Sequence, residues 1–235
     1  MQSKNLGLIL YLKAIKDNDL YIKILSANDK ILSGLVYGGL SSKKKSTYQL
    51  GYFIEFNQFQ KNSNSVSSIN GEITRPFIVD IYDDKFKSFS LLAIISILNE
   101  AIYDEAIING LFESVKKLIN LININKNWLS SFCKWLLYFL ELLGYGIDYK
   151  NADMKYFNLH SLTFESKYIN SNSILFPKEL LNVNPVLTYQ SVKSLFMIFE
   201  TVFKKSHLNN YNKFMPKNYL NFKFLILKEL KKINE

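Results

Sequence analysis

Five short strand-like runs in the first 78 residues, some of them with alternating side chains, constrain the fold more than any other feature. The runs cover residues 7–15, 20–27, 31–38, 52–60 and 66–73. A period of two is typical of strands that bury one face. Turn-forming residues separate the runs, and only the third connection is long. The pattern therefore predicts five short strands.

Five short strands with one longer connection suit a small, partly open barrel of the OB type. Gly34 lies inside the third run and is a candidate β-bulge, because glycine within a strand often marks one. On the fourth strand, the face that contains Glu55 is predicted to point outward, and Phe53 shares that face. The alternate face, with Ile54, is then expected to fill the barrel.

The hydrophobic period changes after residues 74–77, where Pro76 lacks a backbone donor and restricts the residue before it. Helical periods follow at residues 86–122 (divided near Gly110), 127–146, 188–205 and 219–234. The predicted fold class is therefore α+β: an N-terminal five-stranded OB-type β-barrel (1–78) followed by an all-helical domain (79–235). Within the helical domain, a segment at about 147–180 is predicted to be irregular or hairpin-like.

In two of the predicted helices, the sequence indicates either the residue that caps the N-terminus or the face that is buried. Thr188 is a predicted N-cap, because its hydroxyl can accept from the first free backbone N–H groups of a helix. In the final helix, the stripe predicted to face inward consists of Phe222, Ile226, Leu230 and Ile233, which recur at helical spacing.

Positive charge is concentrated at the two ends of the chain. The 235 residues carry a formal net charge of +9. Residues 1–78 contain ten basic and five acidic side chains, residues 79–200 contain eleven and thirteen, and residues 201–235 contain eight and two. Solubility alone gives no reason to divide charge in this way. The division favours a polyanionic partner, either nucleic acid or an anionic membrane surface.

The sharpest local charge is Lys43–Lys45, three successive lysines in the glycine-flanked stretch 37–51, "YGGLSSKKKSTYQLG". We call this stretch the lysine loop. It is either a solvated turn, as lysine runs commonly are, or a loop that grips phosphate. Lys30 and Arg75, the only arginine, are further candidate contacts. Since lysine offers a point charge and little bidentate base readout, any nucleic-acid binding is expected to have weak sequence specificity.

Aromatic residues, among them Tyr11 and Tyr21, are frequent on the predicted strands. Single-strand binding surfaces combine a basic groove with aromatic faces on which bases stack. About half of these rings are expected to fill the barrel instead. Tyr37 and Tyr48 flank the lysine loop and are the preferred stacking candidates, with barrel filling as the alternative for each.

The sequence contains little that indicates catalysis or metal binding. It has no phosphate-loop, GxGxxG, GxSxG or HExxH motif. His160 and His207 have no ligand partner at metal-site spacing, so each is interpreted as a surface or packing residue. Cys133 lies in an apolar helix and is expected to be a buried free thiol. Asp83 and Asp84 are interpreted as charges at a helix start. We expect no enzyme and no cofactor, although carboxylates that assemble from distant positions stay an alternative.

No stretch of the chain predicts a membrane span. The most apolar stretch, 127–146, is interrupted by Lys134 and Glu141 and falls short of the ~20 apolar residues required. The opening "MQSKNLGLIL" lacks the apolar core and cleavage site of a signal peptide. We therefore expect a cytoplasmic protein.

Several stretches resemble a known family. They are the opening "GLIL", the stretch "LVYGGLSSKKKSTYQLGYFIEF", and "LLGYGID" (142–148) after the third helix, in the order barrel then helices. Over nearly the full chain, this pattern resembles the RecO family of recombination mediators. The resemblance implies binding of single- and double-stranded DNA and annealing of complementary strands. It also implies nucleoid association and loading of recombinase, with RecR, onto strands coated by single-strand binding protein.

One departure from that family concerns metal. Many members carry a four-cysteine zinc motif after the glycine-rich stretch, whereas "DYKNADMKYFNLHS" has no cysteine and Ala152 stands near the expected first one. We therefore expect no structural zinc. If the segment is ordered, apolar packing must replace the metal. The residues predicted to supply it are Tyr156, Phe157, Leu159, Leu162 and Phe164.

The resemblance also implies that the helical domain binds the acidic C-terminal tail of single-strand binding protein. The cations proposed for that tail are Lys116, Lys117, Lys126 and Lys134, with simple core formation by their helices as the alternative. Two rival functions stay open: an OB-fold RNA-binding adaptor without a repair role, and a hydrolase that acts on nucleic acid.

Overall fold

The computed structural model describes residues 5–16, 18–62, 65–74, 79–103, 106–149, 155–182 and 185–234. The chain divides into two compact units, Met1–Lys116 and Lys117–Glu235. The boundary predicted between residues 78 and 79, with the barrel on one side and the helices on the other, stays a prediction. Each unit is described by itself below.

The first unit contains the predicted barrel. Its strands are β1 (Asn5–Ala14), β2 (Leu20–Ser26), β3 (Ile31–Val36), β4 (Phe53–Phe59) and β5 (Ser68–Ile73). They form a closed barrel in the order β1-β2-β3-β5-β4. Four neighbour pairs are antiparallel, and a short parallel contact between Leu35 of β3 and Ser68 of β5 closes the barrel. The α+β class is confirmed, and the barrel is closed rather than partly open.

The inside of the barrel is an apolar core. Ile9, Ile22, Ile24, Ile54 and Phe56 lie at its centre and are at most 1% exposed. Burial of such side chains is the main favourable term in folding a small domain. The alternation predicted for β4 therefore places its residues correctly, because Ile54 and Phe56 face inward and Glu55 is exposed.

Three helices follow the barrel in sequence: α1 (Val79–Asp83), α2 (Lys85–Ala101) and α3 (Leu111–Ile124). Asp84 caps α2, since its carboxylate accepts from the backbone N–H groups of Phe86 and Lys87 at 2.8 and 3.1 Å. The outward ring of Phe53 is nevertheless buried, because Phe112 packs edge-on against it at 6.0 Å between centroids. The outer face of the barrel is thus only partly open to solvent.

Gly34 is not a bulge. It pairs in regular register with Ile22, whereas the irregularity lies in β1, between Ile9 and Tyr11. A Cβ at Gly34 would stand 2.6 Å from the carbonyl oxygen of Ser67. Glycine is required here because the chain entering β5 passes close to β3.

The second unit is mainly helical. It contains most of α3, then α4 (Trp128–Leu142), α5 (Tyr189–Ser206) and α6 (Lys217–Asn234), with short 3-10 turns at Lys178–Leu181 and Leu208–Tyr211. The N-cap prediction is confirmed, because the Thr188 hydroxyl accepts from the backbone N–H of Ser191 in a capping box. The inward stripe of α6 is correct for Phe222, Ile226 and Leu230. It is wrong for Ile233, which is 70% exposed on the last turn.

The segment between α4 and α5 folds into a small antiparallel sheet. Its strands β6 (Tyr156–Asn158), β7 (Thr163–Glu165) and β8 (Ser173–Leu175) stand in the order β7-β6-β8. The fully buried ring of Phe157 contacts Phe164 at 5.1 Å between centroids. On the polar side, the Glu165 carboxylate accepts from Asn158 Nδ2 and Ser173 Oγ, both at 2.7 Å.

This small sheet lies in the segment for which we expect no structural zinc. Aromatic packing and a hydrogen-bonded carboxylate order the strands here, as a bound metal would elsewhere. Ala152, which stands near the position expected for the first zinc-binding cysteine, lies outside the described residues. The expectation of a zinc-free segment stays a prediction.

None of the described helices is both long enough and apolar enough to cross a membrane.

Tyr48 ties the lysine loop to the barrel. Its ring is 4% exposed and belongs to the barrel core. Its hydroxyl accepts from Gly71 N at 2.8 Å and donates to Gly71 O at 3.2 Å. Burial raises the pKa of this phenol, so the group stays neutral at physiological pH.

We predict that Tyr48→Phe lowers the free energy of unfolding by about 1–2 kcal/mol, because the partly buried backbone N–H of Gly71 loses its acceptor. Urea denaturation measures the change. Tyr37→Phe is the matched control: its ring is 59% exposed, and a change of less than about 0.5 kcal/mol is expected for such a site. Equal effects of the two substitutions would contradict an anchoring role for Tyr48.

Candidate nucleic-acid interface

The outer face of β1 and β2 carries two tyrosines and two lysines in a cross-strand arrangement. Tyr11 stands opposite Lys23, and Lys13 stands opposite Tyr21. The two tyrosines occupy one diagonal, with ring centroids 6.4 Å apart and an interplanar angle of 71°. The lysines occupy the other diagonal. We call these four residues the β1–β2 platform.

The bulge in β1 is what turns these side chains outward. Leu8, Ile9 and Leu10 are all at most 1% exposed, which a regular strand with one buried face does not allow. The register shift between Ile9 and Tyr11 inserts one extra residue on β1. Side chains beyond the bulge therefore change face, so that Leu12 packs against the core and Tyr11 and Lys13 point away from it.

A cleft of about 650 Å³ lies over this platform. Besides the platform residues, it is lined by Ala14, Ile15, Asn99 and Glu100. Asn99 Nδ2 donates to Leu10 O at 2.7 Å, which fixes the wall formed by α2 against the bulge. Tyr11 is 40% exposed, so its ring is accessible from the cleft. The cleft thus combines aromatic surface with ammonium groups.

The lysine loop is a series of tight turns rather than an extended finger. Lys44 N and Lys45 N both donate to Ser41 O, at 3.0 and 2.9 Å, and Thr47 N donates to Lys44 O at 2.9 Å. Lys44 Nζ donates to Tyr37 O at 2.9 Å. An ammonium has three donors, so Lys44 retains two for a ligand. Lys43 and Lys45 are exposed.

Two hydrogen bonds hold the lysine loop next to the turn between β1 and β2. Gly38 N donates to Asp19 Oδ1 at 2.7 Å, and Leu40 N donates to Asn18 O at 2.8 Å. That turn directly follows the end of β1, whose Lys13 belongs to the platform. The lysine loop and the platform therefore lie at the same end of the β1–β2 pair.

The two tyrosines predicted to stack bases differ in their surroundings. Tyr37 is 59% exposed, and its ring is accessible on the surface of the loop. Tyr48 is buried in the barrel core, and its hydroxyl is bonded to Gly71. A base cannot reach the face of this ring, so Tyr48 was wrongly assigned as a stacking residue.

The remaining predicted DNA contacts are not gathered with the lysine loop. Lys30 is exposed at the start of β3, about 20 Å along that strand from the loop. Its backbone forms an isolated bridge with Ile107. The neighbouring Asp29 accepts from Gly110 N and Phe112 N at 2.7 and 2.8 Å, so this end of the barrel faces the start of α3. Arg75 lies outside the described residues.

The four lysines predicted to bind a protein tail have different environments. Lys116 pairs with Glu113 at 3.1 Å, and Lys134 Nζ donates to Asn182 O at 2.7 Å. Lys117 and Lys126 are exposed. The structure therefore leaves Lys117 and Lys126 as the more accessible pair.

The residues considered for catalysis or metal binding do not assemble into a site. Within the described ranges, no group of three or more His, Cys, Asp and Glu side chains could hold a metal ion. Cys133 is fully buried, and burial raises the pKa of its thiol to about 12. It is therefore a neutral thiol at physiological pH and a poor nucleophile. His207 is 6% exposed and stacks on Phe203 at 5.4 Å, which confirms a packing role.

The β1–β2 platform was not predicted as a unit. Tyr11 and Tyr21 were counted only among the aromatic residues, and Lys13 and Lys23 were not singled out. The available signal was the repeated aromatic-x-Lys spacing at 11/13 and 21/23, which puts each pair on one face of a strand. The register that brings the two pairs together depends on the bulge, which the sequence does not mark.

A closed five-stranded barrel with an aromatic and basic outer face, followed by a helical unit, defines an OB-type barrel protein. No family model matches the chain. It is, however, similar to proteins named DNA repair protein RecO. The identity is 23% over 149 residues to the one from Rickettsia canadensis (strain McKiel), covering 63% of this chain and 61% of that protein.

Two further relatives carry the same name. One, from Hyphomonas neptunium, is 24% identical over 144 residues, with 60% and 59% of the two chains covered. The other, from Rickettsia peacockii, is 26% identical over 153 residues, with 63% and 62% covered. The chain spans about three fifths of the length of the curated relatives it matches. The predicted resemblance to the RecO family is confirmed over about three fifths of this chain, whereas it was predicted over nearly the full chain.

We predict that changing Lys43, Lys44 and Lys45 together to Ala weakens binding of single-stranded DNA about equally for all sequences. Each lost phosphate contact should flatten the slope of log affinity against log salt by up to ~0.7. Fluorescence anisotropy across a salt series measures this slope. A charge-matched control changes Lys85, Lys116 and Lys117 to Ala. An unchanged slope in the loop variant would leave the lysine loop as a solvated turn.

Proposed function

We propose that this chain is a non-enzymatic DNA-binding mediator of recombinational repair. In this role it anneals complementary single strands and helps load a recombinase, together with RecR, onto strands coated by single-strand binding protein. The observation that carries the DNA-binding part is the β1–β2 platform with the lysine loop beside it. The name shared by the similar proteins, DNA repair protein RecO, supports the choice of DNA repair.

The side chains of the β1–β2 platform have the chemistry required to bind single-stranded nucleic acid. Tyr11 and Tyr21 offer ring surface on which bases stack, at ~1–3 kcal/mol per base. Lys13 and Lys23 stand on the other diagonal and can neutralise adjacent phosphates. The Glu100 carboxylate also lines the cleft and repels phosphate, so a bound strand would place its backbone away from this side chain.

The same chemistry favours annealing. Stacking and lysine contacts hold a strand by its ring faces and its phosphates, and neither kind of contact occupies the edges that pair with a complementary base. Neutralised phosphates also lower the repulsion between two approaching strands. A surface built in this way can present a strand for pairing without reading its sequence.

We predict that Tyr11→Ala combined with Tyr21→Ala weakens binding of a short single-stranded DNA by roughly tenfold or more, because stacking surface is lost. The annealing rate of complementary strands, with and without single-strand binding protein, should fall in parallel. Tyr168→Ala is the control, since its ring is 60% exposed on the second unit.

The same assays separate the rival functions. Tighter binding of RNA than of DNA of equal length, without annealing, would favour an RNA-binding adaptor. Cleavage of labelled DNA in the presence of a divalent metal would favour a hydrolase. Undiminished DNA binding by the double tyrosine variant would contradict the platform assignment.

The proposal also includes capture of the acidic tail of single-strand binding protein by the second unit. Such a tail requires an apolar recess for its terminal side chains and cations for its carboxylates. A groove of about 490 Å³ in this unit is lined by Thr201, Lys204, Lys205 and Met215, among others. Lys117 and Lys126, both exposed, are the alternative cations.

We predict that a tail peptide binds the intact chain in the micromolar range, ~8 kcal/mol, and more weakly as salt rises. Charge reversal at Lys204 or at Lys117 and Lys126, measured by calorimetry, distinguishes the two locations. The Ala variant of Lys43–Lys45 is the control and should bind the peptide normally. Loss of peptide binding in that variant would place the tail on the barrel and contradict this part of the proposal.

A further inference from the structure

The outward face of α6 carries an ordered row of exposed side chains. Lys217, Asn221, Phe224 and Lys228 follow one another at steps of four, three and four residues, which places them along one side of a helix. All four are exposed. The opposite side of α6, with Tyr219, Phe222 and Ile226, is buried. We call these four residues the α6 row; it spans about 16 Å.

Phe224 stands in the middle of this row. It is 65% exposed, although large apolar side chains on helices usually find a packing partner. Two other lysines of α6 are engaged locally: Lys223 pairs with Glu200 at 2.7 Å, and Lys232 pairs with Glu229 at 3.5 Å. Among the residues that the structure describes, Lys217 and Lys228 have no ion-pair partner. The row therefore presents two cations with an exposed ring between them.

The charge around the α6 row indicates which kind of partner can bind there. Residues 201–235 contain eight basic and two acidic side chains, so a second copy of this surface would be repelled. An anionic membrane would require a broad apolar face, whereas this side of α6 offers Phe224 and, one turn before it, Leu220, which is 41% exposed. A single-stranded nucleic acid requires separated cations for phosphates and an exposed ring for a base, and this combination matches the row.

We propose that the α6 row is a second contact for single-stranded nucleic acid, distinct from the β1–β2 platform. Lys217 and Lys228 bind phosphates on either side of a nucleotide whose base stacks on Phe224. The inference rests on the proposed function for its class of ligand, but it uses residues of the other unit. A chain with two such contacts holds two strands at once, as annealing requires.

The test counts strands bound per chain. The full chain is titrated with a labelled oligothymidylate of about 12 nucleotides, within the usual site size of such surfaces. We expect two oligonucleotides per chain. Lys217→Glu with Lys228→Glu should leave one, and Phe224→Ala should weaken one of the two sites by about 5- to 150-fold. Tyr11→Ala with Lys23→Glu should remove the other site.

Matched controls exclude nonspecific effects of charge and apolar surface. Lys155→Glu with Lys167→Glu reverses two exposed lysines of the same unit away from α6. Ile233→Ala removes an apolar side chain of α6 that is 70% exposed and lies outside the row. Both controls should retain two strands per chain. Circular dichroism checks that every variant is folded.

Each outcome decides one proposal or the other. A stoichiometry that the α6 variants leave unchanged overturns the second contact, whether or not the platform variant has an effect. If only the α6 variants lose a bound oligonucleotide, and the platform variant does not, the second contact is supported and the assignment of the platform is contradicted. A third outcome would assign the row to a membrane and overturn the proposal. In that outcome the α6 variants no longer bind phosphatidylserine vesicles, but they still bind two oligonucleotides per chain.

Discussion

The pairing of β1 with β2 is the constraint on which the candidate interface depends. Ile9 opposite Ile24 fills the barrel, and Tyr11 opposite Lys23 faces outward, although strict alternation from Ile9 would bury Tyr11. The extra residue between the two pairs makes both placements possible. A regular β1 would bury the Lys13 ammonium in an apolar core at high cost. The barrel core and its outer surface are therefore consequences of one register.

The lysine loop depends on a different interaction, the anchoring of its last turn in the barrel. Three adjacent ammonium groups repel one another. In a flexible loop they would move apart, and the loop would then be less ordered. Here successive backbone hydrogen bonds close the turns, and the buried Tyr48 fixes their end against Gly71. The entropy of ordering the loop is therefore lost on folding, and if the loop binds phosphate as proposed, less entropy would be lost on binding.

Local pattern was sufficient to predict the elements but not the environment of individual side chains. All five strands and the main helices follow from hydrophobic period, and the Thr188 cap follows from residue type. Tyr37 and Tyr48 flank the same loop and cannot be told apart by period, because the path of the loop decides which ring is buried. Phe53 is buried by Phe112, almost 60 residues later, and Ile233 is exposed because α6 ends there. These outcomes depend on tertiary packing, which local sequence does not encode.

The use of lysine instead of arginine connects composition with mechanism. Arginine forms bidentate bonds with guanine and would hold particular bases in place. Lysine contributes a point charge, whose attraction to phosphate is independent of sequence and is screened by salt. A strand held in this way must still be released when a complementary strand pairs with it, and weak, exchangeable contacts make that release fast. Exposed rings flanked by lysines, on the platform and on α6, are therefore better suited to handing over a strand than to recognising one.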